Sequence, residues 1–142
     1  MTNDEKKKIL TAYLQASAHR DVEEMASFLT EDFTLWMVPS AAEQGLPNPI
    51  VGRQTFLDFL RQLMARPDMW KPRESLPQQF LFDEDSVAVR VRNLGDFPSG
   101  LVYDNEYVFI YKLRGDKICE MREFTDAAYI YSLRQKAAAQ AG

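Results

Sequence analysis

The chain has 142 residues, 46% of them hydrophobic, and a net charge of −4. A chain of this length can bury a core without disulfides, and its single cysteine, Cys119, excludes an internal disulfide or a cysteine-rich metal site. The negative charge and the lack of a dense basic stripe argue against nucleic acid as a partner. We therefore expect one globular domain spanning residues 1–142.

No stretch approaches the roughly 18 continuous apolar residues of a membrane span, so no membrane partner is predicted. The charged residues 1–8 lead into an amphipathic stretch and not into the apolar block of a secretory signal. A cytoplasmic location is the expectation.

Three helices are predicted in the N-terminal half. Thr2 opens a capping-box pattern for a helix over about residues 3–18, and Asp21 begins a short second helix. After Gly52, apolar residues recur at helical spacing until Pro67 ends the third helix.

Runs that alternate between two faces predict strands. They cover residues 33–38, 73–82, 87–92, 103–112 and 118–125. The last two runs meet at Gly115 and predict a long hairpin.

Two further segments complete the chain. Residues 39–51 predict an irregular loop, because they contain Pro39, Gly45, Pro47 and Pro49. Asp126 is positioned to cap a short C-terminal helix, which is expected to fray from Lys136.

The closing hairpin carries Tyr-x-Asn-Glu-Tyr-x-Phe from Tyr103, Gly-x-Lys-Ile from Gly115 and Arg-Glu-Phe-x-Asp from Arg122. This pattern resembles the closing hairpin of SnoaL-like proteins of the NTF2-like superfamily, whose relatives include ketosteroid isomerase and limonene epoxide hydrolase. The resemblance implies an α+β fold, in which a cone-shaped curved antiparallel sheet packs on the three N-terminal helices and encloses a pocket. Because one fold hosts many chemistries, the reaction stays open.

The resemblance to limonene epoxide hydrolase places Glu123 on a catalytic acid that faces the pocket. It places Arg90 and Arg92 where the hydrolase has its inward arginine and its other acid, so the two-acid activation of water is missing. Two guanidinium groups beside one carboxylate suit an anionic substrate or a developing enolate. We expect Arg90 to interact with Glu123 inside the cone, and both arginines to keep Glu123 ionised. The alternatives are a structural ion pair for Glu123 and tethering of sheet polar groups or solvent exposure for the arginines.

The resemblance to ketosteroid isomerase places Tyr13 and Asn105 on the two donors of an oxyanion hole. A phenol and an amide can both polarise a carbonyl. The basic aspartate of the isomerase aligns with Met37, so its full mechanism is absent. The alternative for Tyr13 is a core aromatic with a satisfied hydroxyl.

The leading hypothesis is a small-molecule enzyme of the isomerase, cyclase or dehydratase type, which transfers protons on a mostly apolar substrate without metal or cofactor. The alternatives are a non-catalytic binding protein for a hydrophobic metabolite and a dimeric interaction module. The expected pocket lining is Met37, Phe59, Leu60, Tyr103, Tyr107 and Met121.

The outer sheet face is predicted to be apolar enough to form a homodimer interface. The residues assigned to it are Val87, Val89, Val108, Ile110, Ile118 and Phe124.

Overall fold

The structure is a computed structural model that describes residues 1–42 and 47–141. Residues 43–46, including Gly45 of the predicted loop, lie outside the described residues. The elements follow in the order α1 (Asn3–Ala18), α2 (Val22–Ser27), β1 (Leu29–Met37), β2 (Ile50–Val51), α3 (Arg53–Met64), β3 (Lys71–Asp83), β4 (Ser86–Asp96), β5 (Val102–Arg114), β6 (Lys117–Thr125) and α4 (Ala127–Ala141). Within the described ranges, no helix is long and apolar enough to cross a membrane.

The six strands form one sheet in the order β2-β1-β6-β5-β4-β3. Neighbouring strands pair antiparallel except β1 and β6, which run parallel. The predicted α+β fold, with a curved and mainly antiparallel sheet and three N-terminal helices, is confirmed. Some bounds differ from the prediction: β1 begins at Leu29 and β4 continues to Asp96. In addition, Ile50 and Val51 pair with β1 instead of ending a loop, and α4 continues beyond Lys136 to Ala141.

Local sequence signals account for the helix starts. The Thr2 hydroxyl accepts from the Glu5 backbone N–H at 3.1 Å, and the Glu5 carboxylate accepts from the Thr2 N–H at 2.9 Å, which completes the capping box. The Asp21 carboxylate accepts from the Glu24 N–H at 3.1 Å and caps α2. Between α1 and α2, Arg20 takes a left-handed backbone conformation with φ 52°. This tight turn sets the position of Arg20 in the site described below.

Strand β5 alternates strictly between exposed and buried residues, as its period of two predicts. Its buried residues are Tyr103, Asn105, Tyr107, Phe109, Tyr111 and Leu113. All of them except Asn105 form one core with apolar side chains of α1, α3 and β1, such as Leu10, Phe56 and Phe33. The inner face of β5 therefore runs through the centre of the fold.

A β-bulge at Cys119 changes the faces of β6. Leu113 pairs with Ile118 while the adjacent Lys112 pairs with Glu120, so Cys119 is the additional residue. Ile118 is consequently fully buried, and its predicted place on the outer sheet face is wrong.

The outer face is less apolar than the sequence predicted. Val87 and Val89 are fully buried on the inner side, so their outward assignment is wrong as well. Val108 and Ile110 are 38% and 37% exposed, and the half-buried Phe124 packs against Trp36 with ring centroids 5.3 Å apart. Charged pairs occupy the same strands, namely Arg90 with Glu106, Arg92 with Asp104, and Arg122 with Glu120. The homodimer stays a prediction, supported by three of the six assigned residues.

Gly95 allows the segment before β3 to pack directly on β4. A Cβ at this position would lie 2.6 Å from the backbone oxygen of Lys71 and 2.8 Å from Cδ1 of Trp70. The Trp70 ring stacks on Tyr103 with a centroid distance of 3.8 Å and an interplanar angle of 9°. We expect Gly95→Ala to lower the free energy of unfolding by roughly 1–3 kcal/mol, because backbone and indole must both move.

Chemical denaturation measures this change, and tryptophan emission reports the displacement of Trp70. Gly100→Ala is the control, because its added Cβ meets nothing within 4 Å, although its φ of 90° adds backbone strain. The control is expected to lose stability without a change in emission. Unchanged stability and emission in Gly95→Ala would contradict the close contact.

Candidate active site

A cavity of about 160 Å³ lies between the inner sheet face and the helices. Residues of all four helices and of strands β1, β3, β4, β5 and β6 line it. Its walls are largely apolar and aromatic. Among its described lining residues, the charged side chains are Arg20, Glu74, Glu123 and Arg134.

Most of the predicted lining residues reach this cavity. Those that line it are Met37, Phe59, Leu60, Tyr107 and Met121. Tyr103 does not line the cavity, so its predicted place in the lining is wrong. It is buried behind the wall, where its ring stacks on Trp70 and its hydroxyl pairs with that of Tyr107. The contact of these residues with a substrate stays a prediction.

Glu123 lines the cavity from β6, where it pairs with Phe109 of β5 and Met37 of β1. Its side chain is partly buried, and within the described residues its carboxylate makes no hydrogen bond and no ion pair. Burial disfavours the charged form and raises the pKa of Glu123 to about 7, although the nearby Arg20 opposes this change. Near neutral pH both protonation states are therefore populated, and Glu123 is able to accept or donate a proton.

Arg90 and Arg92 lie on the outer sheet face and not in the cavity. Arg90 pairs with Glu106 at 3.0 Å, and Arg92 donates two hydrogen bonds to Asp104 at 2.8 and 2.6 Å. The apolar residues that alternate with them, including Val91, occupy the inner face. The predictions that these arginines face the pocket, that Arg90 interacts with Glu123 and that both keep Glu123 ionised are therefore wrong.

Arg20 is the cation on the α1 side of the cavity. Its Nη1 donates to the backbone oxygen of Ser17 at 3.2 Å and to Oγ of Ser17 at 3.5 Å. Burial lowers the pKa of the guanidinium, while Tyr107, Tyr13 and Glu123 counteract that effect. Arg20 and Glu123 both line the cavity, and the charge of Arg20 acts to lower the pKa of Glu123.

Tyr13 and Tyr111 line the cavity, and both hydroxyls are buried without a hydrogen-bond partner in the described part of the chain. Their rings meet edge to face, with centroids 6.1 Å apart. Burial raises the pKa of both phenols, so they stay protonated and keep an O–H to donate. Buried polar groups without partners are rare in folded proteins, and these two accompany Glu123 in one cavity.

Asn105 is buried next to the cavity wall and does not line the cavity. Its amide N–H groups contact the Tyr103 hydroxyl at 3.1 Å, the Thr125 hydroxyl at 3.0 Å and the Asp126 backbone oxygen at 3.2 Å. Its side-chain oxygen accepts from the Glu106 N–H at 2.9 Å. The predicted direct contact between Asn105 and a substrate is therefore wrong, and Asn105 instead holds Tyr103 in place.

The sequence-based prediction missed Arg20 and Tyr111. Tyr111 could have been found, because it shares the buried alternation of Tyr103 and Tyr107. Arg20 lies in a short connection between helices. The sequence of such a connection has no periodic pattern that predicts whether a long polar side chain faces the cavity or the solvent. Arginine in a loop is most often solvent-exposed.

A family model for the SnoaL-like domain matches residues 10–121. The chain belongs to the SnoaL-like domain family. Comparison with curated proteins gives no significant match.

Solved structures share this fold at low sequence identity. An NTF2-like protein of unknown function from Burkholderia pseudomallei has a TM-score of 0.77 and 14% identity over 94% of this chain and 98% of its own. TerC, crystallised with polyporic acid, has a TM-score of 0.78 and 18% identity, covering 92% and 98%. A protein described as a SnoaL-like polyketide cyclase from Jannaschia sp. has a TM-score of 0.74 and 17% identity, covering 92% and 91%. These identities indicate a shared fold and leave the chemistry to the residues of the site.

Proposed function

We propose that the protein is an enzyme of the isomerase or cyclase type that moves a proton within a small organic molecule, with Glu123 as acceptor and donor. The observation that carries this proposal is a cavity carboxylate with a pKa of about 7. A base is most effective when its pKa lies near the working pH, because it is then both available and strong enough. An ordinary carboxylate near pKa 4.5 is a much weaker base.

The step begins with a substrate that carries a C–H bond next to a carbonyl. The Glu123 carboxylate takes this proton, and the C–H electron pair shifts to the carbonyl oxygen to form an enolate. The Tyr13 and Tyr111 hydroxyls donate hydrogen bonds to that oxygen, and the charge of Arg20 stabilises the enolate. Neutral phenols suit this role, since their raised pKa keeps them protonated.

Protonated Glu123 completes either of two outcomes. In an isomerisation, it returns the proton to a different carbon of the enolate and restores the carbonyl. In a cyclisation, the enolate carbon bonds to a second carbonyl of the same molecule, and Glu123 protonates the resulting alkoxide. Both sequences conserve protons and electrons without an added reactant. The neighbours described as a polyketide cyclase and as crystallised with polyporic acid support an organic ligand for this fold.

Proton exchange tests this function without knowledge of the natural substrate. The α-protons of cyclohexanone and acetophenone are followed by NMR in deuterated buffer at pH 7. We expect the protein to accelerate their replacement by deuterium. The acceleration by Glu123→Gln should be about 10²–10⁴-fold smaller than that by the parent protein. Glu120→Gln is the control, because it removes a carboxylate from the same strand. The Glu120 carboxylate lies on the outer face, where it pairs with Arg122.

Exchange at the background rate for both ketones, or full exchange in Glu123→Gln, would contradict the proposal. The cavity would then favour the alternative function, a protein that binds a hydrophobic metabolite without turnover.

A further inference from the structure

We propose that the cavity binds an anionic molecule with a single ring, of the size of benzoate, whose charged oxygen lies against Arg20. The proposed ligand class belongs to the cavity described above. It rests on the proposed function only because both concern the same site. Three features of the described residues support it: the volume of the cavity, the hydrogen bonding of Arg20 and the composition of the walls.

The volume limits the ligand to about one ring. The cavity measures about 160 Å³, close to the roughly 150 Å³ of an engineered protein cavity that accepts benzene. Pockets for larger ligands usually start at about 300 Å³. Two or more fused rings would exceed this volume.

The walls suit a flat ring. Tyr107 and Phe109 line one side with nearly parallel rings, at a centroid distance of 5.4 Å and an interplanar angle of 18°. Phe56 and Phe59 of α3 also line the cavity. Aromatic rings pack favourably on one another in offset-stacked or edge-to-face arrangements, which favours an aromatic or unsaturated ring as ligand.

Arg20 supplies an anion contact that the protein leaves incomplete. In the described chain, its hydrogen bonds go to Ser17 alone, and both are donated by Nη1. The guanidinium has five N–H donors in a planar fork that matches the two oxygens of a carboxylate. The other cavity cation, Arg134, already pairs with Asp68 at 2.8 Å.

Glu123 makes anion binding dependent on pH. When its carboxylate is protonated, Glu123 no longer balances the Arg20 charge, and Arg20 attracts an anionic ligand. When Glu123 is ionised, it neutralises Arg20 and repels the ligand, so binding should draw a proton onto Glu123. Among the described residues of every element packed around the cavity, the other titratable groups that line it are Tyr13, Glu74, Tyr107, Tyr111 and Arg134. The pKa of each of the three tyrosines is raised, so they remain neutral across the range of the test.

Isothermal titration calorimetry with benzoate, benzamide and 2-naphthoate tests the inference. Benzamide has the shape of benzoate without its charge, and 2-naphthoate keeps the charge but adds a ring. At pH 6 we expect benzoate to bind at least about tenfold more tightly than either. Arg20→Gln should remove this preference for benzoate over benzamide, whereas Arg92→Gln on the outer face should keep it.

The pH dependence gives a second readout. From pH 7 to 8 the Kd of benzoate should rise by about fivefold, with uptake of nearly one proton at pH 8, seen in buffers of different ionisation enthalpy. Glu123→Gln should abolish both effects.

Equal binding of benzoate and benzamide by the parent protein would overturn the inference, even if Arg20→Gln failed to fold. Equal binding of 2-naphthoate would overturn the size limit, and no binding of benzoate would overturn the whole inference. Benzoate has no α-proton, so its binding is independent of turnover. Loss of benzoate binding with ketone exchange intact would refute the ligand class alone, and the reverse result would refute the proposed function alone.

Discussion

Glu123→Gln is expected to stabilise the protein at pH 8 by up to about 3 kcal/mol and to remove much of the pH dependence of its stability. The pKa of Glu123 is about 7 in the folded protein and 4.5 in its ordinary state. Between these values the folded protein holds a proton that the unfolded chain has released. The stabilising contribution is therefore complete below pH 4.5 and is lost as the pH rises through 7. At about 1.4 kcal/mol per pKa unit the difference amounts to about 3 kcal/mol, and water in the cavity reduces it.

Urea denaturation at pH 5 and pH 8 measures the effect in the parent protein, in Glu123→Gln and in the outer-face control Glu120→Gln. We expect the parent and the control to show the same decline in stability from pH 5 to pH 8, and Glu123→Gln to show little. A Glu123→Gln variant that is less stable than the parent at pH 8 would make Glu123 a structural anion held by Arg20. The role of Glu123 in proton transfer would then lose its physical basis.

The elements of the fold that local signals determine could be predicted from the sequence. The capping box of Thr2 and Glu5, the cap at Asp21 and the alternation of β5 each depend on residues within a few positions of one another. The resemblance supplied the topology, which local patterns do not contain. Together they were sufficient for the helices, for five of the six strands and for the cavity position of Glu123.

The errors on β4 arose where the resemblance was given more weight than residue polarity. An inner sheet face receives the apolar side chains of a half-buried strand. In Ser86–Asp96 these are Val87, Val89 and Val91, so the alternation itself places Arg90 and Arg92 outside. Counting positions against a distant relative assigns a role to a position in the chain. It does not show on which face of the sheet the side chain at that position lies. The local pattern was the better guide here.

Two features of the site depend on geometry that no local pattern contains. The bulge at Cys119 reverses the face of Ile118, and both residues are apolar, so alternation alone does not show which of them is the additional residue. The position of the Arg20 side chain follows from the left-handed backbone conformation of Arg20 itself, between α1 and α2. The direction of such a turn is decided by the packing of α1 and α2 and becomes visible only in the folded chain.

Tyr13→Phe and Tyr111→Phe are each expected to slow α-proton exchange by about 10²–10³-fold without loss of stability. Each variant removes a donor to the developing enolate oxygen, and the loss of one oxyanion donor typically has this effect on rate. Neither hydroxyl has a hydrogen-bond partner in the described chain, so replacement by hydrogen breaks no contact and removes the cost of a buried unsatisfied group. The unfolding free energy should therefore stay the same or rise slightly.

Tyr103→Phe is the matched control, because its hydroxyl is also buried but contacts Tyr107 and Asn105. This variant should lose about 1–3 kcal/mol of stability, since the partners are left unsatisfied, and should slow exchange less than Tyr13→Phe. Ketone exchange and urea denaturation of all three variants separate the roles. Full exchange in Tyr13→Phe and Tyr111→Phe would exclude these phenols as donors, and a loss of stability equal to that of Tyr103→Phe would indicate structural hydroxyls. If both phenols donate to one oxygen atom, the double variant should be slowed by less than the product of the single effects, because groups that share a partner are not additive.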